Sequence, residues 1–328
     1  MSILVTGAYG FVGTNLSNVL KDKYILWALD TSEKRSIAYS RYFSWENLEM
    51  IPWDDVDTII HLAGKAHDTK SRSDAQVYFD VNTGLTRIIF DYFLQSKAKQ
   101  FIFFSSVKAV DDKVECGCLT EDVIPCPKGP YGESKMAAEA YIQKKIREMA
   151  GDPETNAGCR DDKRFYIFRP CMIHGAGNKG NLNLLYGIVR KGVPYPLGAF
   201  DNKRSFLNVS NLSYIVEQFI QKNPDSGVYH LADDDPISTN EIVALIARVK
   251  NKKTRIWNVN RAFITAMAKI GTVCRLPFNS ERLHKLTENY VVSNEKVKKA
   301  LKINHLPVDV RAGFLQTLSR FDEDNNKQ

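Results

Sequence analysis

Thr6-Gly7-Ala8-Tyr9-Gly10-Phe11-Val12-Gly13 decides how this chain folds. It follows an apolar run at residues 2–6 that reads as a β-strand, and it opens a helical pattern over residues 13–21. Glycines spaced G-x₂-G-x₂-G in a strand–turn–helix setting serve a tight turn, close approach to a pyrophosphate, and packing of helix on strand. The start of the helix adds unpaired N–H groups and the positive end of its dipole, both suited to phosphate oxygens. Asp30, 23 residues after Gly7, ends the next strand, at 24–30. A carboxylate there accepts hydrogen bonds from the adenosine ribose hydroxyls and repels a 2′-phosphate, so NAD is expected rather than NADP. Arg35, close by, is the residue type that would serve a 2′-phosphate.

Outward from the loop, strands at 57–63, 100–105 and 165–169 alternate with helices at 82–96 and 131–150. That alternation predicts an α/β fold, a doubly wound parallel sheet of the Rossmann kind. Residues 151–163 read as an exposed polar connection. Beyond them lie a helix at 182–191, a loop at 192–204, a strand at 228–232, and Ser238-Thr239-Asn240-Glu241, which has the form of a capping box opening a helix to about Lys250. A length of 328 residues suggests about two domains. The division expected is a dinucleotide-binding domain at 1–171 plus about 205–230, and a smaller α/β substrate-binding domain at 172–204 and 231–328.

Tyr131-Gly132-Glu133-Ser134-Lys135 puts a phenol and an ammonium on one helical face. A phenol of pKa about 10 is a poor base at neutral pH, and a neighbouring cation lowers that value toward the range where proton transfer to and from a hydroxyl is effective. Ser105 and Ser106 end a buried strand at the carboxyl edge, where open α/β sheets bind their ligands, and a hydroxyl there can orient a reacting oxygen.

In this order (glycine loop, acidic strand end, Ser-Ser, Tyr-x₃-Lys) the chain resembles the extended short-chain dehydrogenase/reductases, the group of nucleotide-sugar epimerases, dehydratases and ketoreductases. The resemblance runs from Ile3 to about Leu301. It makes Thr6-Gly7-x-x-Gly10-Phe11-Val12-Gly13 the family's own cofactor loop, Tyr131 the acid/base, Lys135 the holder of the nicotinamide ribose and tuner of the tyrosine, and Ser106 the catalytic hydroxyl. Leu62-Ala63-Gly64 would line the cofactor, Asn82 would brace that segment from a helix start, and Arg169-Pro170-Cys171 would pack against the nicotinamide. Gly180-Asn181-Leu182 would hold the sugar diphosphate, with Arg204 gripping the nucleotide and Arg282 the diphosphate. A surface ion pair is the other reading for either arginine.

Three reactions share this core. Dehydration needs an acidic pair after the catalytic hydroxyl, and Val107 and Lys108 stand there. The resemblance then implies C4 epimerisation of a UDP-hexose or UDP-N-acetylhexosamine through a transient 4-keto sugar. Reduction of a UDP-4-keto-6-deoxyhexose with NAD(P)H is the alternative, and a non-catalytic NAD-binding regulatory module a third reading. The hexose pocket is expected in loops around 65–73, 108–114 and 175–179, with Lys108 facing either substrate or solvent.

A hydrophobic fraction of 44% and a charged fraction of 25% are those of an ordinary globular protein. The six cysteines have no zinc-ligand spacing, so no metal is expected. A net charge of +7, gathered in short runs such as 250–255 and 296–299, reads as solvated faces and attraction to an anionic substrate, with no nucleic-acid partner and no membrane insertion. Without a basic leader before the first strand, the cytoplasm is the expected compartment. A homodimer through helices 82–96 and 131–150 is a further expectation; Ile88, Ile89, Tyr92 and Phe93 would serve it or an internal core equally.

Overall fold

The computed structural model describes residues 1–326 apart from 33–34, 67–73, 115–116, 152–162, 179–180 and 275–277. Most of the connection expected at 151–163, and parts of the loops at 65–73 and 175–179, lie outside the described residues. Among the described residues seven parallel strands form the main sheet: β1 (Ser2–Thr6), β2 (Ile25–Leu29), β3 (Arg41–Phe43), β4 (Thr58–His61), β5 (Gln100–Phe104), β6 (Arg164–Pro170) and β9 (Gly227–Leu231). Their spatial order is β3-β2-β1-β4-β5-β6-β9, and the order reverses between β1 and β4. This is the doubly wound Rossmann-like arrangement, and ligands bind outside the carboxyl ends of its strands at that reversal.

Both faces of the sheet are covered, so its strands are apolar at consecutive positions rather than at alternate ones. Ile3, Val5, Ile102, Phe104 and Phe168 point to one side, where α1 (Phe11–Leu20) and α6 (Val209–Lys222) supply Leu16, Leu20, Leu212, Val216 and Phe219. Leu4, Trp27, Ile59, Phe101 and Phe103 point to the other, against α3 (Leu85–Gln95) and α4 (Pro130–Gly151). Ile89 and Phe93 are fully buried in that second layer and Tyr92 stacks on Trp53 at 4.4 Å, whereas Ile88 is exposed. Two of the four apolar residues that could have served a dimer are therefore internal core.

Asn82 departs from the sequence reading. It does not start a helix; helical structure already runs from α2 (Ala75–Tyr78) through a π-helical turn, Phe79–Gly84, into α3. Such single π turns place one residue out of helical step, often at functional sites.

A second apolar core joins α5 (Asn181–Arg190), α7 (Thr239–Val249), α8 (Arg261–Val273), α9 (Ser280–Thr287) and α11 (Val310–Asn326) through Tyr186, Ile246, Ile264, Leu283 and Phe314. The short parallel pair β7 (Met172–His174) and β8 (Phe206–Asn208) adds Phe206 to it. The capping box is present: Glu241 N–H donates to Ser238 Oγ at 3.1 Å, and Ser238 N–H to the Glu241 carboxylate at 3.1 Å. Val297 and Leu301, on α10 (Glu295–Leu301), return to pack on the first face of the sheet. Among the described residues no helix is long and apolar enough to cross a membrane.

Phe219 holds α6 to the sheet, edge-on to Tyr166, Phe168 and Tyr229 with centroids 4.8–4.9 Å away. Phe219→Ala is expected to cost about 3–5 kcal/mol in urea unfolding, and Phe219→Leu less than half of that.

Candidate active site

The glycine loop is built as its spacing requires. Gly7 has φ +66°, and a Cβ on it would stand 2.8 Å from the backbone N of Ala63; a Cβ on Gly13 would stand 2.5 Å from the carbonyl of Ala8. The first admits only glycine without strain, and the second lets α1 lie directly on the turn. Gly10 opens α1 without a side-chain cap, which leaves the first-turn N–H groups to an external anion. Asp30 follows β2 and accepts the N–H of Tyr9 at 2.9 Å on Oδ2 and that of Ser32 at 3.1 Å on Oδ1. Each carboxylate oxygen keeps acceptor capacity for a diol. Arg35 lies over the Tyr42 ring at 4.5 Å. A glycine cradle, an uncapped helix start and a fixed carboxylate together fit an adenine dinucleotide.

A buried relay sets the neighbouring strand end. Thr86 Oγ1 spends its proton on the Asn82 carbonyl at 2.6 Å, so it must accept from His61 Nε2–H at 3.0 Å. His61 Nδ1 then accepts from Thr6 Oγ1 at 2.7 Å, and Thr6 Oγ1 accepts the Ala63 N–H at 3.1 Å. Burial, with the Lys135 cation nearby, pushes the His61 pKa down to about 3, so the ring stays neutral and the relay intact. Leu62-Ala63-Gly64 leaves β4 along this relay. Asn82, fully buried, takes the Lys65 N–H at 2.8 Å and gives its amide to Ser134 Oγ at 2.9 Å, tying that segment to α4.

Helix α4 brings Tyr131 and Lys135. Pro130 stands at its first position, and Gly132 lets it close on the turn after β5, where a Cβ would lie 2.3 Å from the Lys108 carbonyl. Tyr131 faces Ser106, whose hydroxyl acts to lower the phenol's pKa; burial outweighs this and raises it. Lys135 donates to the Phe104 carbonyl at 2.8 Å, and its Nζ lies 3.0 Å from where a Gly64 Cβ would be. Burial takes Lys135 down to about 8, and the Glu139 carboxylate opposes the fall. The structure thus brings Tyr131, Lys135 and Ser106 together, and the Ser106 hydroxyl opposes the rise that burial causes in the phenol's pKa.

Sequence reasoning missed Glu139. Its carboxylate is buried, takes Arg169 through Nε at 3.0 and 3.1 Å and Nη2 at 2.5 Å, and accepts the hydroxyl of Ser105. Its spacing of four from Lys135 and eight from Tyr131, on one helical face, was the available signal. Ser105 is thereby occupied, which leaves Ser106 to face Tyr131. Val107 is buried, and Lys108 pairs with Asp112 at 2.9 Å beside the Tyr290 ring. Pro170 ends β6, and Cys171 N–H reaches the Leu231 carbonyl at 3.0 Å.

On the substrate side the residues are more dispersed. Arg204 is half-buried near Cys171 and Glu288, its backbone bridged to Ile237 and Tyr290. Leu182 packs its side chain in the second core, and Asn181 begins α5 after a glycine, Gly180, outside the described residues. Arg282 is exposed in the first turn of α9.

The model of the NAD dependent epimerase/dehydratase family matches residues 3–232. The chain belongs to this family. It is 30% identical to the UDP-glucose 4-epimerase of Vibrio cholerae over 99% of this chain and 97% of that protein. It is 28% identical to the N-acetyl-alpha-D-glucosaminyl-diphospho-ditrans,octacis-undecaprenol 4-epimerase of Escherichia coli O157:H7, over 91% of this chain and 85% of that one. The UDP-N-acetylglucosamine 4-epimerase structure from Bacillus cereus superposes with TM-score 0.74 over 99% of both chains at 19% identity, a likeness of fold. This family member is an NAD-dependent enzyme of the nucleotide-sugar epimerase and reductase group.

Ser106→Ala is expected to reduce turnover at least on the order of tenfold with unfolding little changed, whereas Ser105→Ala leaves a buried carboxylate short of a donor and costs about 1–3 kcal/mol of stability. Lys135 has a folded pKa below its ordinary 10.5, so its burial cost is full below pH 8 and vanishes as pH rises to 10.5. The wild type should therefore gain on Lys135→Met by on the order of 2–3 kcal/mol between those pH values in cofactor-free unfolding; a constant difference would contradict the shift.

Proposed function

We propose that this enzyme epimerises a nucleotide sugar at C4, a UDP-hexose or UDP-N-acetylhexosamine, through a transient 4-keto sugar. The observation that carries the reading is the juxtaposition of Tyr131, Ser106 and the buried Lys135 at the carboxyl end of the sheet, next to the glycine cradle. NAD, held in the glycine cradle, would supply the hydride acceptor and donor for the sugar carbon. Tyr131 takes the proton of the 4-hydroxyl as the carbonyl forms and gives it back after the sugar has turned over. Ser106 donates to the reacting oxygen, and Lys135 stabilises the phenolate. Gly7, Gly10, Phe11, Val12, Gly13, Asp30, Leu62, Ala63, Gly64, Asn82 and Pro170 hold the cofactor. Asn181, Leu182 through its backbone and Arg282 hold the sugar diphosphate, the part common to the substrates for which the Vibrio and Escherichia relatives are named, and Arg204 grips the nucleotide. The division of labour is a cofactor-binding domain at 1–171 and about 205–230, with the remainder binding substrate.

Val107 and Lys108 offer no acid/base pair for dehydration, because one is buried and apolar and the other is tied to Asp112. Purified protein incubated with UDP-galactose or UDP-N-acetylgalactosamine and no added cofactor should interconvert epimers by NMR. Tyr131→Phe should lose on the order of 10²–10⁴-fold in turnover while keeping nucleotide affinity. If no sugar interconverts but a UDP-4-keto sugar is reduced with NADH or NADPH, the enzyme is a 4-ketoreductase. If Tyr131→Phe changes no turnover, the catalytic reading fails.

A further inference from the structure

The net charge of +7 belongs to one part of the chain. Residues 250–286 carry nine Lys or Arg against the single acid Glu281, a net of +8, while the other 291 residues carry 36 against 37, a net of −1. The run at 296–299 behaves as a solvated, paired face: Lys298 meets Glu295 at 2.8 Å and Asp234 at 3.5 Å. By contrast Lys252, Lys253, Arg255 and Lys269 are exposed with no carboxylate partner among the described residues. Lys252 and Arg255 instead give hydrogen bonds to the carbonyls of Arg190 and Gly192. With Lys191 and Lys253 they line a groove of about 350 Å³ whose other walls are apolar or glycine.

The same stretch exposes apolar surface. On α8, Phe263, Met267 and Ile270 recur at i, i+4 and i+7 and are 60%, 47% and 55% exposed. The helix buries a separate stripe, Ile264 and Ala268, in the second core, so the exposed one is a second apolar face that no described residue covers. Val273, one turn on from Ile270, extends it at 84% exposed, and Trp257, four residues before the helix, is 58% exposed. Contiguous exposed apolar surface on a folded protein marks an interaction site.

Three occupants differ in what they accept. A second copy across a two-fold axis would set +8 against +8. A nucleic acid would use the cations and leave Phe263, Met267 and Ile270 in water. An anionic bilayer surface takes both, with apolar side chains at the headgroup–acyl boundary and basic ones on the phosphates. We propose that residues 252–255 together with helix α8 dock this protein on the surface of an anionic phospholipid membrane. The 13 residues of α8 are about 20 Å long, too short to span the roughly 30 Å of hydrocarbon, so the helix lies on the membrane. This proposal does not rest on the C4 reaction.

Flotation of the full chain with vesicles tests it, comparing phosphatidylcholine alone with phosphatidylcholine containing about a third phosphatidylglycerol. Partition into the anionic vesicles should be at least on the order of tenfold greater and should weaken at high salt. Met267→Glu/Ile270→Glu and Lys252→Glu/Lys253→Glu should each lower it at least on the order of tenfold, with Tm unchanged. Equal partition, or none, into the two vesicle types overturns the proposal. So does anionic binding indifferent to Met267→Glu/Ile270→Glu, or a dimer in sedimentation equilibrium that this double variant dissociates.

Discussion

A carboxylate shut away from water, Glu139, is the constraint around which the site is assembled. Burying a carboxylate and a guanidinium is costly in itself, and the cost is offset only when every strong acceptor and donor direction is met. Here Arg169 from β6 and the Ser105 hydroxyl from the end of β5 meet it. A helix so bound to two adjacent strand ends can neither slide nor rotate, and Lys135 and Tyr131 lie one and two turns back along the same face. The clamp also decides between two adjacent serines: it occupies Ser105 and leaves Ser106 for the phenol. Its negative charge, close to Lys135, limits how far burial can discharge the ammonium.

The groups set for chemistry are held away from their comfortable charge states. Burial drives the Tyr131 phenol up and the Lys135 ammonium down, and the neutral His61 beneath them adds no compensating charge. Titratable groups perturbed in this way cluster where proton transfer occurs. A positive nicotinamide would favour the phenolate in a site where the protein alone does not. That would couple ionisation of the phenol to occupancy of the cofactor cradle, whose Gly7 abuts the same Leu62-Ala63-Gly64 segment that Asn82 and Lys135 press against.

Much of this was legible in the chain itself. Gly7 and Gly13 announce their contacts because only glycine fits them, and Asp30, Ser106, Tyr131 and Lys135 are the residue types their chemistry requires. The rest depends on tertiary contacts. His61 sits in the run Asp57-Thr58-Ile59-Ile60-His61-Leu62-Ala63, which reads as an apolar strand whether or not Thr6 and Thr86 flank the ring. Asn82 looked like a helix start because a π turn leaves no mark in apolar periodicity. Glu139 resembled any solvent-facing glutamate in a helix rich in Lys and Glu until Arg169 was seen beside it. The charge at 250–286 looked like solvated runs because pairing, not composition, separates it from the run at 296–299.

The central claim is that one hydride leaves and returns to the same sugar carbon while Tyr131 moves the hydroxyl proton. A UDP-hexose carrying deuterium at C4, converted in ordinary water and examined by NMR and mass spectrometry, tests it directly. The account predicts that the product epimer keeps its deuterium at C4. Loss of that label to solvent, or its replacement by hydrogen from added NADH, would contradict it.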